Sequence, residues 1–209
     1  MISDCNFRPL FFCHRPSHVA YLRINKNACS SLARFVAELH GPVKDPLWDE
    51  SNFDLVTKDW QEVNGLFTFT FVRNPYRRFH SFYKNWIVDP PHEKVLEHYR
   101  PMGLYKNMPL QECIRKVVKI KKKKLEAHLR PQHEFVFYGN RLNVKFIGKV
   151  EEMDKDMPLI QRMAGVEGDL AHSNKTNASE LSFPEKEKSQ LFRYYQQDFE
   201  IFNYDPKVS

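Results

Sequence analysis

"YLRINKNACSSLARF", residues 21–35, decides how the rest of the chain is read. A short β-rich run over 18–24 ends in a polar turn built on Lys26. A helix then opens at Ser30-Ser31, with apolar residues spaced helically at Leu32, Phe35, Val36 and Leu39, and Gly41-Pro42 stops it. A strand feeding a helix through such a turn is a common way to hold an oxyanion, because the helix start presents unpaired N–H groups and a positive dipole end. Here the backbone donors run from Asn27 through Ala28, Cys29 and Ser30 to Ser31, the two serines add hydroxyls, and Lys26 adds an ammonium. Asn25 and Asn27 are expected to take the positive φ that glycine supplies elsewhere. The triphosphate pattern GxxxxGK[ST] is absent: both glycines are missing and the lysine stands at the front of the turn.

A second strand–turn–helix follows. "LFTFTFV" (66–72) alternates Thr with Phe, and "NPYRRFHSFYKNWI" (74–87) has Pro75 at its first helical turn. Arg73 stands at the strand end and Ser81 about two helical turns further on, so a guanidinium and a hydroxyl can share a second phosphate. Two anion sites call for one ligand with two separated anionic groups.

Beyond these, 89–103 reads as loop and short helix, and 109–129 as one long basic helix. "EFVFYG" and "LNVKFIG" read as strands, "PLIQRMAG" as a short helix, and 184–204 as a closing helix started by Pro184. Strands alternating with helices imply an α/β fold in three layers, a mainly parallel central sheet with helices on both faces. At 209 residues one domain over 1–209 is expected.

The chain is 42% hydrophobic and 28% charged, with 17 Phe and 9 Tyr, which excludes wholesale disorder. A formal charge of +6 favours an anionic partner. Cys5, Cys13, Cys29 and Cys113 form no CxxC pair and no metal spacing, so free thiols, a reducing compartment and no metal are expected. The N-terminus lacks a basic head followed by an apolar stretch, and nowhere do 18 apolar residues run together. A soluble, cytoplasmic chain without a transmembrane segment is the expectation.

These residues carry a resemblance. The chain resembles the sulfotransferase family 2 group of carbohydrate sulfotransferases, which use 3′-phosphoadenosine 5′-phosphosulfate (PAPS) as sulfuryl donor and release adenosine 3′,5′-bisphosphate. The first turn is similar to the family's 5′-phosphosulfate loop, with Arg23 at the place of a donor-contacting arginine. "FVRNPYRRFHSFY" is similar to its 3′-phosphate motif, with Arg73 and Ser81 at the matching positions. "HLRPQHEFV" (128–136), "FIGKVEEMDKD" (146–156), "HSNKT" (172–176) and "YYQQDFEIFNYD" (194–205) fit family segments in order. The first loop departs from the family's usual PK-Gly/Thr, reading NKNACSS, and 89–127 aligns with nothing.

The resemblance implies a P-loop-NTPase-like sulfotransferase fold and transfer to a hydroxyl of a sugar, glycan or other small acceptor, with no nucleic acid as partner. Lys26 would stabilise the leaving group, and Asn174 and Lys175 would close over the donor. His128 would be the general base, with His80 and His14 as rivals. Two other readings stand beside it: a kinase of related topology, and an inactive module gripping polyanions through the basic 109–129 helix.

Overall fold

The computed structural model describes residues 9–166 and 183–207. Its elements run β1 (Leu10–His14), β2 (Val19–Arg23), α1 (Cys29–His40), β3 (Leu55–Thr57), β4 (Phe67–Val72), α2 (Pro75–Phe82), α3 (Leu110–Val117), α4 (His133–Val136), β5 (Phe137–Tyr138), β6 (Arg141–Leu142), β7 (Phe146–Lys149), α5 (Met153–Met163), α6 (Glu185–Tyr194) and α7 (Gln196–Ile201), with short 3₁₀ turns between them. They form two compact units, Met1–Val72 with Glu134–Thr176 and Arg73–His133 with Asn177–Ser209.

The first unit is built on a five-stranded sheet of order β3-β1-β2-β4-β7. β2–β4 and β4–β7 are parallel, whereas β1 pairs antiparallel with both β2 and β3. The sheet is therefore mixed where a mainly parallel one was expected. The cause is a short turn over residues 15–18 that folds β1 back on β2 as a hairpin, which only antiparallel strands can do. β1 and the three-residue β3 escaped the sequence reading because "LFFCH" is apolar on both faces and shows no alternation.

Register and the two-residue period place Phe12, Tyr21, Phe69, Phe71 and Phe146 on one sheet face. Leu32, Phe35 and Val36 of α1 and Met157 and Ile160 of α5 pack on that face. Each fully buried Phe there contributes about 1.5–3 kcal/mol. Gly148 opposes Phe71, and a Cβ at that position would lie 2.4 Å from the Phe71 ring and 2.9 Å from an Asp156 oxygen, so only glycine lets β7 reach β4. The opposite face is buried as well, through Phe11, Ala20, Leu22 and Thr70.

The second unit is helical. Its core joins Tyr76, Phe79 and Phe82 of α2 to Cys113, Ile114 and Val117 of α3 and to Leu191 and Phe199 of α6 and α7. α2 starts where the sequence puts it: Asn74 caps it by accepting from the N–H groups of Tyr76 (2.9 Å) and Arg77 (3.5 Å), and Pro75 fills the first position.

The strand expected over "LNVKFIG" divides between β6, which ends at Leu142, and β7, which starts at Phe146, and three further expected elements differ. The helix expected over 109–129 ends at Val117, and Lys122–Lys124 form only a 3₁₀ turn. Four adjacent ammonium groups at 121–124 repel one another in a helix. Leu125 instead leaves the turn with extended backbone and its side chain enters the core. The expected strand "EFVFYG" begins as helix α4, because the Asp198 carboxylate accepts from the N–H groups of Gln132 (2.7 Å) and His133 (2.9 Å) and so caps a helical turn. The closing helix is interrupted at Tyr195, whose hydroxyl donates to the Leu129 carbonyl at 2.7 Å. No described helix is long and apolar enough to cross a membrane.

Candidate functional site

The turn between β2 and α1 brings Lys26, Asn27, Ala28, Cys29, Ser30 and Ser31 together at the end of a strand whose β4 neighbour runs parallel to it. Its positive φ values fall on Lys26 (71°) and Ala28 (55°), not on Asn25 and Asn27 as expected. Asn27 is needed elsewhere: fully buried, it donates through Nδ2 to the Phe71 carbonyl at 2.9 Å and pins the turn to β4. Left-handed backbone costs a non-glycine residue roughly 1–2 kcal/mol, and Ala28 has no side-chain hydrogen bond to offset it.

Alternating left-handed and right-handed residues turns successive N–H groups inward, a concavity that suits anions. Ala28 is also the N-cap of α1 and offers no side-chain acceptor to the first turn, which contains no acidic residue. The positive end of a 12-residue helix thus lies at the strained turn that carries Lys26. Cys29 carries a free, half-buried thiol.

Arg23, the last residue of β2, lies with its guanidinium carbon 4.1 Å from the centre of the Trp48 ring, and its Nε is buried without a hydrogen-bond partner. The stacking holds the guanidinium plane.

In the second unit, Arg73 is held by its backbone. Its N–H donates to Gln132 Oε1 (2.9 Å) and its carbonyl accepts from Gln132 Nε2 (2.8 Å), with Gln132 fully buried. Asp198 in turn accepts from the Gln132 N–H and bonds His133 Nδ1 at 2.6 Å. The two-sided amide pairing fixes where Arg73 leaves the chain, so its side chain projects from a rigid base. Ser81 sits half-buried inside α2, six residues past Pro75, a rise of roughly 9 Å along the helix.

α2 also anchors the segment that carries His128. Buried Arg78 donates to the carbonyls of Arg130 (2.8 Å) and Ala127 (3.1 Å), and Arg130 donates to that of Leu125 (3.1 Å). His128 Nδ1 lies 2.7 Å from Glu126 Oε2, which also accepts the His128 N–H (2.8 Å) and the Tyr99 hydroxyl (3.1 Å). Burial works to raise the Glu126 pKa, but hydrogen bonds from His128 and Tyr99 outweigh it and hold the carboxyl below its usual range. Burial first, then the Glu126 charge, pushes the Tyr99 phenol far up, so it stays a donor.

An ionised carboxylate can only accept, so Nδ1 carries the proton, and in the neutral imidazole Nε2 holds the lone pair. That is the tautomer a general base needs. The Trp86 ring, 4.4 Å from the imidazole between centroids, packs against it from a π-helical turn over Tyr83–Val88. Glu126 and Trp86 escaped the sequence reading. The Glu-x-His spacing at 126–128 was the available signal, hidden by treating 109–129 as one helix.

The rivals are placed differently. His80 faces Phe183, and burial, Lys84 and Arg73 lower its pKa. His14 belongs to the first unit, where burial lowers its pKa, with Asp54 opposing and His40 adding to the effect. Asn174 and Lys175 lie outside the described residues.

The profile of the sulfotransferase family matches residues 9–205. Carbohydrate sulfotransferase 11 of Rattus norvegicus is 24% identical over 224 aligned residues, and the Mus musculus protein of that name is 23% identical. In both cases the match covers 88% of this chain, which spans 64% of the relative's length. No solved structure matches the chain. With the family profile running through almost every described element, the chain belongs to the sulfotransferase family, as a family 2 member.

Proposed function

We propose that this protein is a PAPS-dependent sulfotransferase that transfers a sulfuryl group to a hydroxyl of a carbohydrate. The observation that carries the reading is the strained turn at the α1 N-terminus, with Lys26 and Ala28 left-handed and no acidic side chain in the first helical turn. The donor supplies a sulfuryl group whose departure leaves negative charge on a phosphate oxygen. The Lys26 ammonium and the N–H groups from Asn27 to Ser31 offset that charge as it grows, which lowers the barrier more than it strengthens ground-state binding. Arg73 and Ser81 hold the 3′-phosphate, Arg23 adds a contact near the 5′ end, and Asn174 with Lys175 completes the donor site.

His128, oriented by Glu126, accepts the acceptor hydroxyl's proton at Nε2. The family match through both units supports treating 1–209 as one sulfotransferase domain of the P-loop-NTPase-like, three-layer kind. The names of the two relatives support a sugar acceptor over nucleic acid. The polyanion-module reading loses its main feature, since the basic stretch is not one helix.

The test is transfer of labelled sulfuryl from PAPS to a panel of glycans, with Lys26→Ala in parallel. Label in a glycan product, absent with the variant, supports the reading. Label on no glycan, together with failure of adenosine 3′,5′-bisphosphate to raise the melting temperature, overturns it.

A further inference from the structure

His14, His40 and Asp54 come from three places in the first unit: the end of β1, the last residue of α1, and the segment before β3. One ligand atom from each lies within 4.8 Å of the other two. Asp54 Oδ1 is 3.0 Å from His40 Nδ1, and Asp54 Oδ2 is 3.8 Å from His14 Nε2. Asp54 Oδ2 also accepts the Arg15 N–H at 3.0 Å, which fixes the carboxylate between the rings.

Hydrogen bonding does not account for His14. Its residue is only 7% exposed, and its Nε2, the nitrogen that faces Asp54, stays 3.8 Å from the carboxylate, beyond hydrogen-bond length. Two imidazoles and one carboxylate form a donor set suited to a borderline-soft divalent ion. The last turn of α1 adds the negative end of its dipole beside His40.

We propose that His14, His40 and Asp54 form a zinc site in which solvent provides the fourth ligand. Donors about 2 Å from zinc sit roughly 3.4 Å apart, so the cluster must contract modestly. His40, with 45% of its side chain exposed, supplies that by rotation, and the same exposure admits water. The site lies at the opposite end of α1 from Lys26, about 18 Å along a 12-residue helix, so the ion joins β1, α1 and the β3 approach and takes no part in sulfuryl transfer. The spacing of these residues in sequence, 14, 40 and 54, has no local pattern, which is why the chain reads as metal-free.

The experiment titrates zinc chloride into untagged, chelator-treated protein, followed by calorimetry and thermal unfolding, with magnesium as control. One zinc per chain and a raised melting temperature are expected, with magnesium inert. His40→Ala and Asp54→Asn, both at partly exposed positions, should each weaken binding at least about tenfold and abolish the thermal shift while circular dichroism confirms the fold. Wild type that binds no stoichiometric zinc, or folded variants that bind it as tightly as wild type, overturns the proposal.

Discussion

The turn over residues 24–31 and the segment over 125–133 each present one group of the proposed reaction, yet they are built by opposite means. In the turn, most of the chemistry lies in the main chain: left-handed Lys26 and Ala28 aim N–H groups, the Lys26 ammonium adds a side-chain charge, and one buried amide from Asn27 holds the loop. In the segment, the backbone is held by carbonyls accepting from Arg78 and Arg130, and the chemistry lies in a side-chain relay from Tyr99 through Glu126 to His128. Lys26 apart, a site made of backbone tolerates changes at the positions that form it, provided the dihedral angles survive. A site made of side chains depends on each atom of the relay.

The sharpest way to break this contrast is at His128. His128→Ala should lower turnover by about 10²–10⁴-fold while leaving affinity for adenosine 3′,5′-bisphosphate unchanged by calorimetry, because a base acts on the acceptor alone. Retained turnover would move the base to His80 or a carboxylate. Lys26→Ala comes next, at about 10²–10³-fold in turnover with a much smaller loss of donor affinity, since its charge matters most as the leaving group forms. Equal losses in both would make Lys26 a binding residue only.

Arg73→Ala should remove most discrimination between adenosine 3′,5′-bisphosphate and adenosine 5′-phosphate, roughly 1.5–3 kcal/mol for one charge-assisted contact. Lys26→Ala should leave that preference standing. An Arg73 variant that keeps the wild-type margin in calorimetry removes this residue from the 3′-phosphate.

Glu126→Gln tests the relay. Turnover should fall about 10–100-fold, as for loss of a group that orients a histidine. Because the folded Glu126 pKa lies below its ordinary value of 4.5, the ionised carboxylate stabilises the fold above that pH, and the contribution fades as pH falls through the folded value. The Gln variant should therefore lose less stability on acidification than wild type. An unchanged acid midpoint in denaturant melts would show that Glu126 is not held ionised by its neighbours.

The smallest effect is expected at Ala28. Ala28→Gly relieves left-handed strain of roughly 1–2 kcal/mol against an unfolded-state entropy cost of about 0.5–1, so the fold should gain a few tenths to 1 kcal/mol with activity nearly unchanged. A loss of stability on urea melting would mean that the turn is not strained as its φ angles imply.

Local chemistry alone determined much of this protein. β2, α1, β4 and α2 were legible because alternation, helical spacing, an Asn-Pro cap and a Gly-Pro stop are short-range signals, and they located Lys26 and Arg73 at element ends and Ser81 within a helix. Gly41 could be read as a stop for the same reason: its φ of 133° suits glycine alone among the residues near that end. Only tertiary structure decided the rest. Which residues of the turn become left-handed depends on Phe71, 44 positions away, which claims Asn27 and leaves Lys26 and Ala28 to bend. The break after Val117 depends on where the core receives Leu125, and the helical start of α4 on the distant Asp198 carboxylate. The His14–His40–Asp54 cluster exists only once β1, α1 and the approach to β3 have packed. Burial and long-range hydrogen bonds choose among conformations that local propensity leaves within a few kcal/mol of one another, and a linear sequence does not reveal which distant group will make that choice.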